Sequence, residues 1–533
     1  MTKNKKPILN TIVVCRGVQA RAEYLEQEMP GYSGNPYIEA LPPILTEDEA
    51  ADSLRRYPYH DESERLLPAQ VRLHMIQSAL QFFEPLPVHL DLEQRFSRMI
   101  RGGYRMRDPL DRGYWNNMNT KLELLACSTA PLRNQARPLP SGFTIIGCPG
   151  VGKSTSVEAV LSLYPQVIFH GKYKDRDFTR AQIVWLKLEC PFDGSTNGLC
   201  LSFFHAVDDI LGTNYQNNYA HGKRTGELLL QMARVAANHG LGVLVIDEIQ
   251  RLSRLKSGGA EKMLNFFVQL ANTIGVPVVL VGTHKARAIL SGEFHQIRRG
   301  TGQGDLIWDP MPEGTWVEQG DKSRSPDIWQ FFLEALWKYQ YLHTLSALTP
   351  KLSHTLYLET QGITDFAAKV FMLAQARVIT TSVDGKEELT SDVIRSVAAD
   401  SLRQAQPVLK AMRMGYTLKL DKYEDIRHVD VDTYFQQTLC DSEAQPILPE
   451  DESAPTEEKE KCEAASVPTD GTPKTKATRK QRKGKKTEPL YAEDDVRGGL
   501  DSARDHEVSP AEALRESGLM SSEREYLGGE KAA

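Results

Sequence analysis

The chain has 533 residues, a net charge of -6, and a composition of 41% hydrophobic and 25% charged residues. This suits a soluble protein of several domains with ample core, and it excludes a polycation whose whole surface would attract nucleic acid, so any such surface must be local. Seven cysteines, odd in number and without C-x-x-C spacing, argue against a disulfide framework or a zinc site and fit a reducing cytoplasm; no apolar run suggests a membrane span or an export signal.

Residues 1–135 mix short apolar segments with prolines and arginines, as in Asn35-Pro36-Tyr37-Ile38-Glu39-Ala40-Leu41-Pro42-Pro43. They predict an irregular region packed against something larger. In residues 136–320, short β-rich runs alternate with helical patterns. Phe143–Ile146 reads as a buried strand, and Thr155–Leu163 carries apolar residues at helical spacing. Between them stands Gly147-Cys148-Pro149-Gly150-Val151-Gly152-Lys153-Ser154-Thr155, a complete phosphate-binding loop in its required setting. Backbone N–H groups and the helix N-terminus cradle phosphate oxygens, and glycine permits the close approach. Lys153 is expected to reach the β- and γ-phosphates of ATP, and Ser154 to coordinate Mg²⁺.

Further strands are predicted at Gln166–His170, Gln182–Leu188, Gly242–Ile246 and Pro277–Val281, which together imply a parallel sheet covered by helices. The apolar strand ending in Asp247-Glu248 places Asp247 near the metal and Glu248 where it can orient and deprotonate an attacking water. Thr283, at the end of the next strand, is a candidate sensor of the γ-phosphate. Arg298 and Arg299 are candidates for an arginine finger serving a neighbouring subunit, or else a solvated basic pair. Residues 321–410 read as an all-α domain, with Thr349-Pro350 and Thr390-Ser391 as helix starts and Gly362 as punctuation. A connecting segment, 411–440, leads to a tail at 441–533 whose composition predicts disorder. In that tail Asp441 to Asp470 is acidic and Lys474 to Lys486 is basic, as a polyanion-binding run or a solvated linker.

Phosphate loop, Asp-Glu strand, polar strand end, arginine pair and helical lid together resemble an AAA+ ATPase. The expected fold class is therefore α/β, a three-layer AAA+ P-loop domain with an all-α lid. Longer runs, 35–43, Val245-Ile246-Asp247-Glu248-Ile249-Gln250, Ser257-Gly258-Gly259, Met263-Leu264-Asn265-Phe266-Phe267 and Ile274-Gly275-Val276-Pro277-Val278, resemble TnsC, the AAA+ regulator of TnsABCD-type transposons, and more distantly TniB-type regulators. The resemblance covers roughly residues 30 to 410. It implies an ATP-switched ring or filament on double-stranded DNA, bound without regard to sequence. Such an assembly links a TnsD/TniQ-type selector to TnsA/TnsB-type transposase subunits. It also implies that Lys187, Lys223, Arg224 and Arg251 are candidates for phosphate contacts on DNA, with Lys172, Lys174 and Arg176 as a competing basic cluster. Lys369 is a weak substitute for a lid arginine. An oligomerising signalling NTPase that ignores DNA is the alternative from another class. A small-molecule kinase is a third, opposed by Glu248 beside Asp247.

Replacing both Arg298 and Arg299 with alanine is expected to leave nucleotide binding by the monomer intact while abolishing the rise of turnover with protein concentration. An ATPase titration against protein concentration checks this, and unchanged turnover excludes a finger acting across subunits.

Overall fold

Eight strands are present among the described residues: β1 (Gln19–Arg21), β2 (Gly142–Gly147), β3 (Val167–Tyr173), β4 (Arg176–Ile183), β5 (Trp185–Glu189), β6 (Val243–Asp247), β7 (Val278–Gly282) and β8 (Leu306–Trp308). The computed structural model describes residues 17–127, 142–220, 225–254, 263–265, 267, 271, 274–290, 304–318, 324–382 and 386–414. The runs at 441–533 lie outside them, as do Lys223, Arg224, Arg298 and Arg299.

Five strands build the central sheet in the order β5-β6-β7-β2-β8, with every neighbouring pair parallel. All residues of β2, β6 and β7 are buried, which explains why these strands read as unbroken apolar runs rather than alternating ones. Helices cover the sheet, among them one at Lys153–Leu161 and another at Thr196–Leu211. This is the three-layer α/β fold expected for an AAA+ domain, followed by helices at Ile328–Leu336, Pro350–Thr360, Thr364–Thr381, Ser391–Ser401 and Gln406–Arg413. Thr349 and Thr390 cap two of them, each accepting a hydrogen bond from the backbone three residues on. No described helix is long and apolar enough to cross a membrane.

Two strand expectations are corrected. The run at Gln166–His170 belongs not to the parallel sheet but to β3, which pairs antiparallel with β4 and parallel with β1 in a separate three-stranded sheet. Lys174 and Asp175, both at positive φ (46° and 63°), turn the β3–β4 hairpin, the conformation that matches strand twist in a two-residue turn. The run Gln182–Leu188 is split at Val184. Its first part ends β4 and the remainder is β5, whose partner is β6.

The N-terminal region is more regular than its composition predicts. Pro87 opens a 19-residue helix, Pro87–Arg105, a position where proline's missing N–H costs nothing. Its Leu92, Phe96, Ile100 and Tyr104 are buried in one core with Phe143 and Ile145 of β2. The run at 35–43 fastens the region down. Asn35 Nδ2 donates to the Tyr104 carbonyl at 2.8 Å, and Gln182 Nε2 of β4 donates to the Tyr37 carbonyl at 3.0 Å.

A second fastening joins this region to the C-terminal helices. Arg72 donates to both Glu387 carboxylate oxygens, at 2.6 and 2.7 Å, and to the carbonyl of Tyr341. Both side chains are buried, at 2% and 4% exposure. Burial raises the Glu387 pKa, but hydrogen bonds from Arg72 and the His343 N–H outweigh it and hold the carboxyl below the ordinary glutamate range. A depressed acid contributes stability above its unfolded pKa of about 4.3, and that contribution is lost as pH falls through the folded value. Glu387→Gln, which leaves the Arg72 charge buried and uncompensated, is expected to cost about 3–5 kcal/mol. Urea unfolding at neutral pH measures it, and the difference from the unsubstituted chain should shrink on acidification.

Candidate nucleotide-binding site

The phosphate loop leaves the C-terminal end of β2 and closes into the helix at Lys153–Leu161. Gly150 and Gly152 adopt φ of 81° and 92°, conformations costly for any residue with a Cβ, and they turn the chain so that successive N–H groups face one side. Lys153 is the first residue of the helix and 8% exposed. Its ammonium donates to the carbonyls of Gly147 at 2.9 Å and Cys148 at 2.7 Å. Ser154 is half-buried, and Thr155 is exposed on the cavity described below.

Asp247 ends β6 at 4% exposure. One carboxylate oxygen, Oδ1, accepts the Glu248 N–H at 2.9 Å, and the other, Oδ2, lies 2.9 Å from Lys187 Nζ. Glu248 takes a φ of 59°, a left-handed turn unusual for a branched-free acidic residue that directs the chain off the strand. Gln250 ties the catalytic candidates together. Its Nε2 donates to Glu248 Oε2 at 2.9 Å, and its Oε1 accepts the Thr283 N–H at 3.1 Å. Thr283 follows β7, and its Oγ1 is buried with no hydrogen-bond partner among the described residues. A buried hydroxyl in that condition costs about 1–3 kcal/mol unless something completes it.

Two cations expected on a DNA surface are committed elsewhere. Lys187 is not a surface charge: its side chain is 9% exposed and its ammonium lies between Asp247 and Glu158, 2.9 and 2.7 Å away. Burial lowers its pKa, but the two carboxylates outweigh that and raise it to about 12. The correction follows from the strand's pleat, which places Lys187 on the same face as Asp247. Arg251 donates to Glu189 Oε2 at 3.1 Å and to the Cys190 carbonyl at 2.9 Å, and is partly exposed at 26%.

Beside the loop lies a cavity of about 420 Å³. One wall comes from the N-terminal region (Phe83, His89), one from the end of β8 and the segment after it (Trp308, Met311) and one from the lid (Ile328, Phe332, Thr364), with Gly152 and Thr155 at its floor. Burial lowers the His89 pKa to about 4, so the ring is neutral near pH 7, and its Nδ1 accepts the Leu86 N–H. Lys369 pairs with Asp365 one turn earlier, at 2.8 Å. The apolar walls, the polar floor and the volume suit a nucleotide base and sugar.

The model of the family described as AAA domain matches residues 140–290. The chain contains an AAA-type P-loop ATPase domain. No curated protein matches it. Among solved structures it is similar to the ORC1 protein of Aeropyrum pernix in complex with DNA, at 16% identity over 60% of this chain and 82% of that one, with a TM-score of 0.34. It is also similar to the ORC2 protein of the same organism, at 13% identity over 62% and 86%, with a TM-score of 0.30. A Walker-type ATPase of Pyrococcus abyssi follows at 11% identity over 62% and 90%, with a TM-score of 0.28.

The AAA domain implies a nucleotide, usually with Mg²⁺, and the residues fit both. A glycine-bent loop presents N–H donors, a buried Thr283 hydroxyl lacks an acceptor among the described residues, and Ser154 and Asp247 are oxygen donors of the kind Mg²⁺ takes. Sequence reasoning missed Gln250 and Glu158, and the contribution of residues 79–89 to the cavity. A lysine flanked by Leu186 and Leu188 in a strand was a readable sign that Lys187 has a buried partner. Thr283→Val removes the orphaned hydroxyl at nearly constant shape, so thermal stability is expected to hold or rise. ATP turnover is expected to fall by roughly a hundredfold if the hydroxyl donates to developing phosphate charge. Melting and turnover measured on the same preparation separate the two effects.

Proposed function

We propose that this protein is an ATP-dependent, DNA-binding regulator of DNA transposition of the TnsC type, and that its ATPase is the switch of an assembly on target DNA. The observation that carries the ATPase is the convergence of Lys153, Asp247, Glu248 and Thr283 at one edge of the parallel sheet, with Gln250 bridging the last two. Lys153 binds the β- and γ-phosphates. Glu248, held by Gln250, orients water and takes its proton, and the Thr283 hydroxyl donates to the γ-phosphate. Ser154 and Asp247 would hold Mg²⁺, which would neutralise phosphate charge when bound.

The transposition reading is supported by the runs at 35–43, 245–250, 263–267 and 274–278, which match as runs and not as single residues. In the 35–43 run the Asn35 side chain bonds within the N-terminal region, and the Tyr37 carbonyl accepts a hydrogen bond from Gln182 of the α/β domain. Arg298 and Arg299 would complete the site across a subunit boundary. DNA phosphates would meet Lys223 and Arg224, with exposed Lys172, Lys174 and Arg176 of the β3–β4 hairpin as the other cationic group. TnsA/TnsB-type transposase and a TnsD/TniQ-type selector are the partners this reading assigns.

Lys153→Ala is expected to abolish nucleotide binding and assembly on duplex DNA. Glu248→Gln is expected to bind ATP, hydrolyse it about 10²–10⁴-fold more slowly and form long-lived DNA complexes. Light scattering with and without duplex DNA, in ATP, ADP and a non-hydrolysable analogue, reads both variants. Particle size indifferent to DNA overturns the DNA reading and leaves the oligomerising signalling NTPase.

A further inference from the structure

Lys187 is the buried group that the hydrolysis scheme leaves without a task. It stands on β5 beside β6, with its side chain 9% exposed, and bridges two carboxylates. Asp247 Oδ2 is 2.9 Å from its ammonium, while Oδ1 accepts the Glu248 N–H, so both oxygens of the proposed metal-binding carboxylate are engaged from within the chain. Glu158, the other carboxylate, is 2.7 Å away and 42% exposed. It lies four residues beyond Ser154 on the same helix, which puts it on Ser154's face one turn on. Lys187 thus spans the helix and the strand that supply the two proposed metal-binding side chains.

We propose that Lys187 is a tethered counter-ion that keeps Asp247 closed to a free divalent cation and releases it only to a cation arriving with nucleotide. The proposal rests on the reading of Asp247 as a metal carboxylate. A dication at Asp247 would stand a few ångströms from a fixed ammonium in a site with little water, where like charges repel strongly. A bare cation brings nothing to offset that repulsion. A nucleotide brings several negative charges on its phosphates, which do. Glu158 supplies the second half of the device. Half-exposed and already in contact, it keeps the ammonium paired when Asp247 turns to a metal, so that release leaves no buried cation without a partner. Lys187 is here a positioning residue that acts through Asp247.

Mn²⁺ binding to the full chain without nucleotide, followed by electron paramagnetic resonance, tests this. Lys187→Met and Lys187→Gln are expected to bind one Mn²⁺ about tenfold or more tightly than the unsubstituted chain. In both, the Mg²⁺ concentration that half-saturates binding of a fluorescent ATP should fall by a similar factor. Lys187→Arg, which keeps the charge, should behave as the unsubstituted chain. Glu158→Gln should move the Mg²⁺ requirement the other way. If Lys187→Met does not fold, the Gln substitution, which keeps a donor to Asp247, and the Glu158→Gln shift carry the test. Folded neutral variants that bind Mn²⁺ no better than the unsubstituted chain overturn the proposal. Asp247→Asn separates the two failures. If it leaves the Mg²⁺ dependence of nucleotide binding unchanged, the reading of the site itself falls. If it removes that dependence while the Lys187 variants behave as the unsubstituted chain, only the counter-ion falls.

Discussion

The parallel register of the central sheet is the constraint on which the rest of the molecule depends. Ile146 of β2 stands opposite Gly282 of β7, and Ile246 of β6 opposite Leu280. The phosphate loop, Asp247 and Thr283 therefore all leave the sheet at the same edge. Side-chain direction alternates along a strand, so a slip of one residue in β6 would turn Asp247 to the opposite face and Ile246 into the site. What prevents the slip is the burial of these strands on both faces, since every displaced side chain would have to be refitted in a close-packed core. β8 closes the arrangement on the other side of β2. A Cβ at Gly147 would come within 2.2 Å of the Trp308 carbonyl oxygen, so the same glycine that opens the loop admits the outer strand.

At that edge the chain satisfies most of its own charges. Lys153 donates to two loop carbonyls, Asp247 has Lys187 and a backbone N–H, Glu248 has Gln250, and Arg251 has Glu189. Burying unpaired ions would cost several kcal/mol apiece, and a folded chain of marginal stability cannot carry several of them. The Thr283 hydroxyl is the exception, a donor with no acceptor among the described residues. Its position beyond β7, tied by its N–H to the residue that holds Glu248, makes it the point at which a ligand oxygen gains most.

Local chemistry made the phosphate loop, the Asp247-Glu248 strand end and the Thr349 and Thr390 caps legible in the sequence. Each rests on residues within a few positions of one another, where glycine, threonine or an apolar run has one dominant meaning. The hairpin at 167–183 was not legible in this way. Its pairing with Gln19–Arg21 joins segments nearly 150 residues apart, and a strand run does not state its partner. Lys187 was misplaced for a related reason, because a cation's surroundings depend on the neighbouring strand. The helix at Pro87–Arg105 was hidden by composition, since prolines and arginines that suggest irregular chain also open helices and serve as buried hydrogen-bond donors, as Arg101 and Arg107 do here.

The cavity shows what those non-local contacts accomplish together. Its walls come from the N-terminal region, from the end of β8 with the segment after it, and from the lid, the first lying more than 200 residues of chain before the other two. Arg72 and Glu387 join the first of these to the third through a buried, bidentate pair. Separating that pair would expose two buried charges, at a cost of about 3–5 kcal/mol if one is left unpaired, comparable to the whole margin of a small domain's stability. That pair therefore ties the helix bearing Arg72 to the lid. Phe83 and Phe332 line the same space, one from the N-terminal region and one from the lid. The Arg72–Glu387 pair thus fixes two of the cavity's walls to each other.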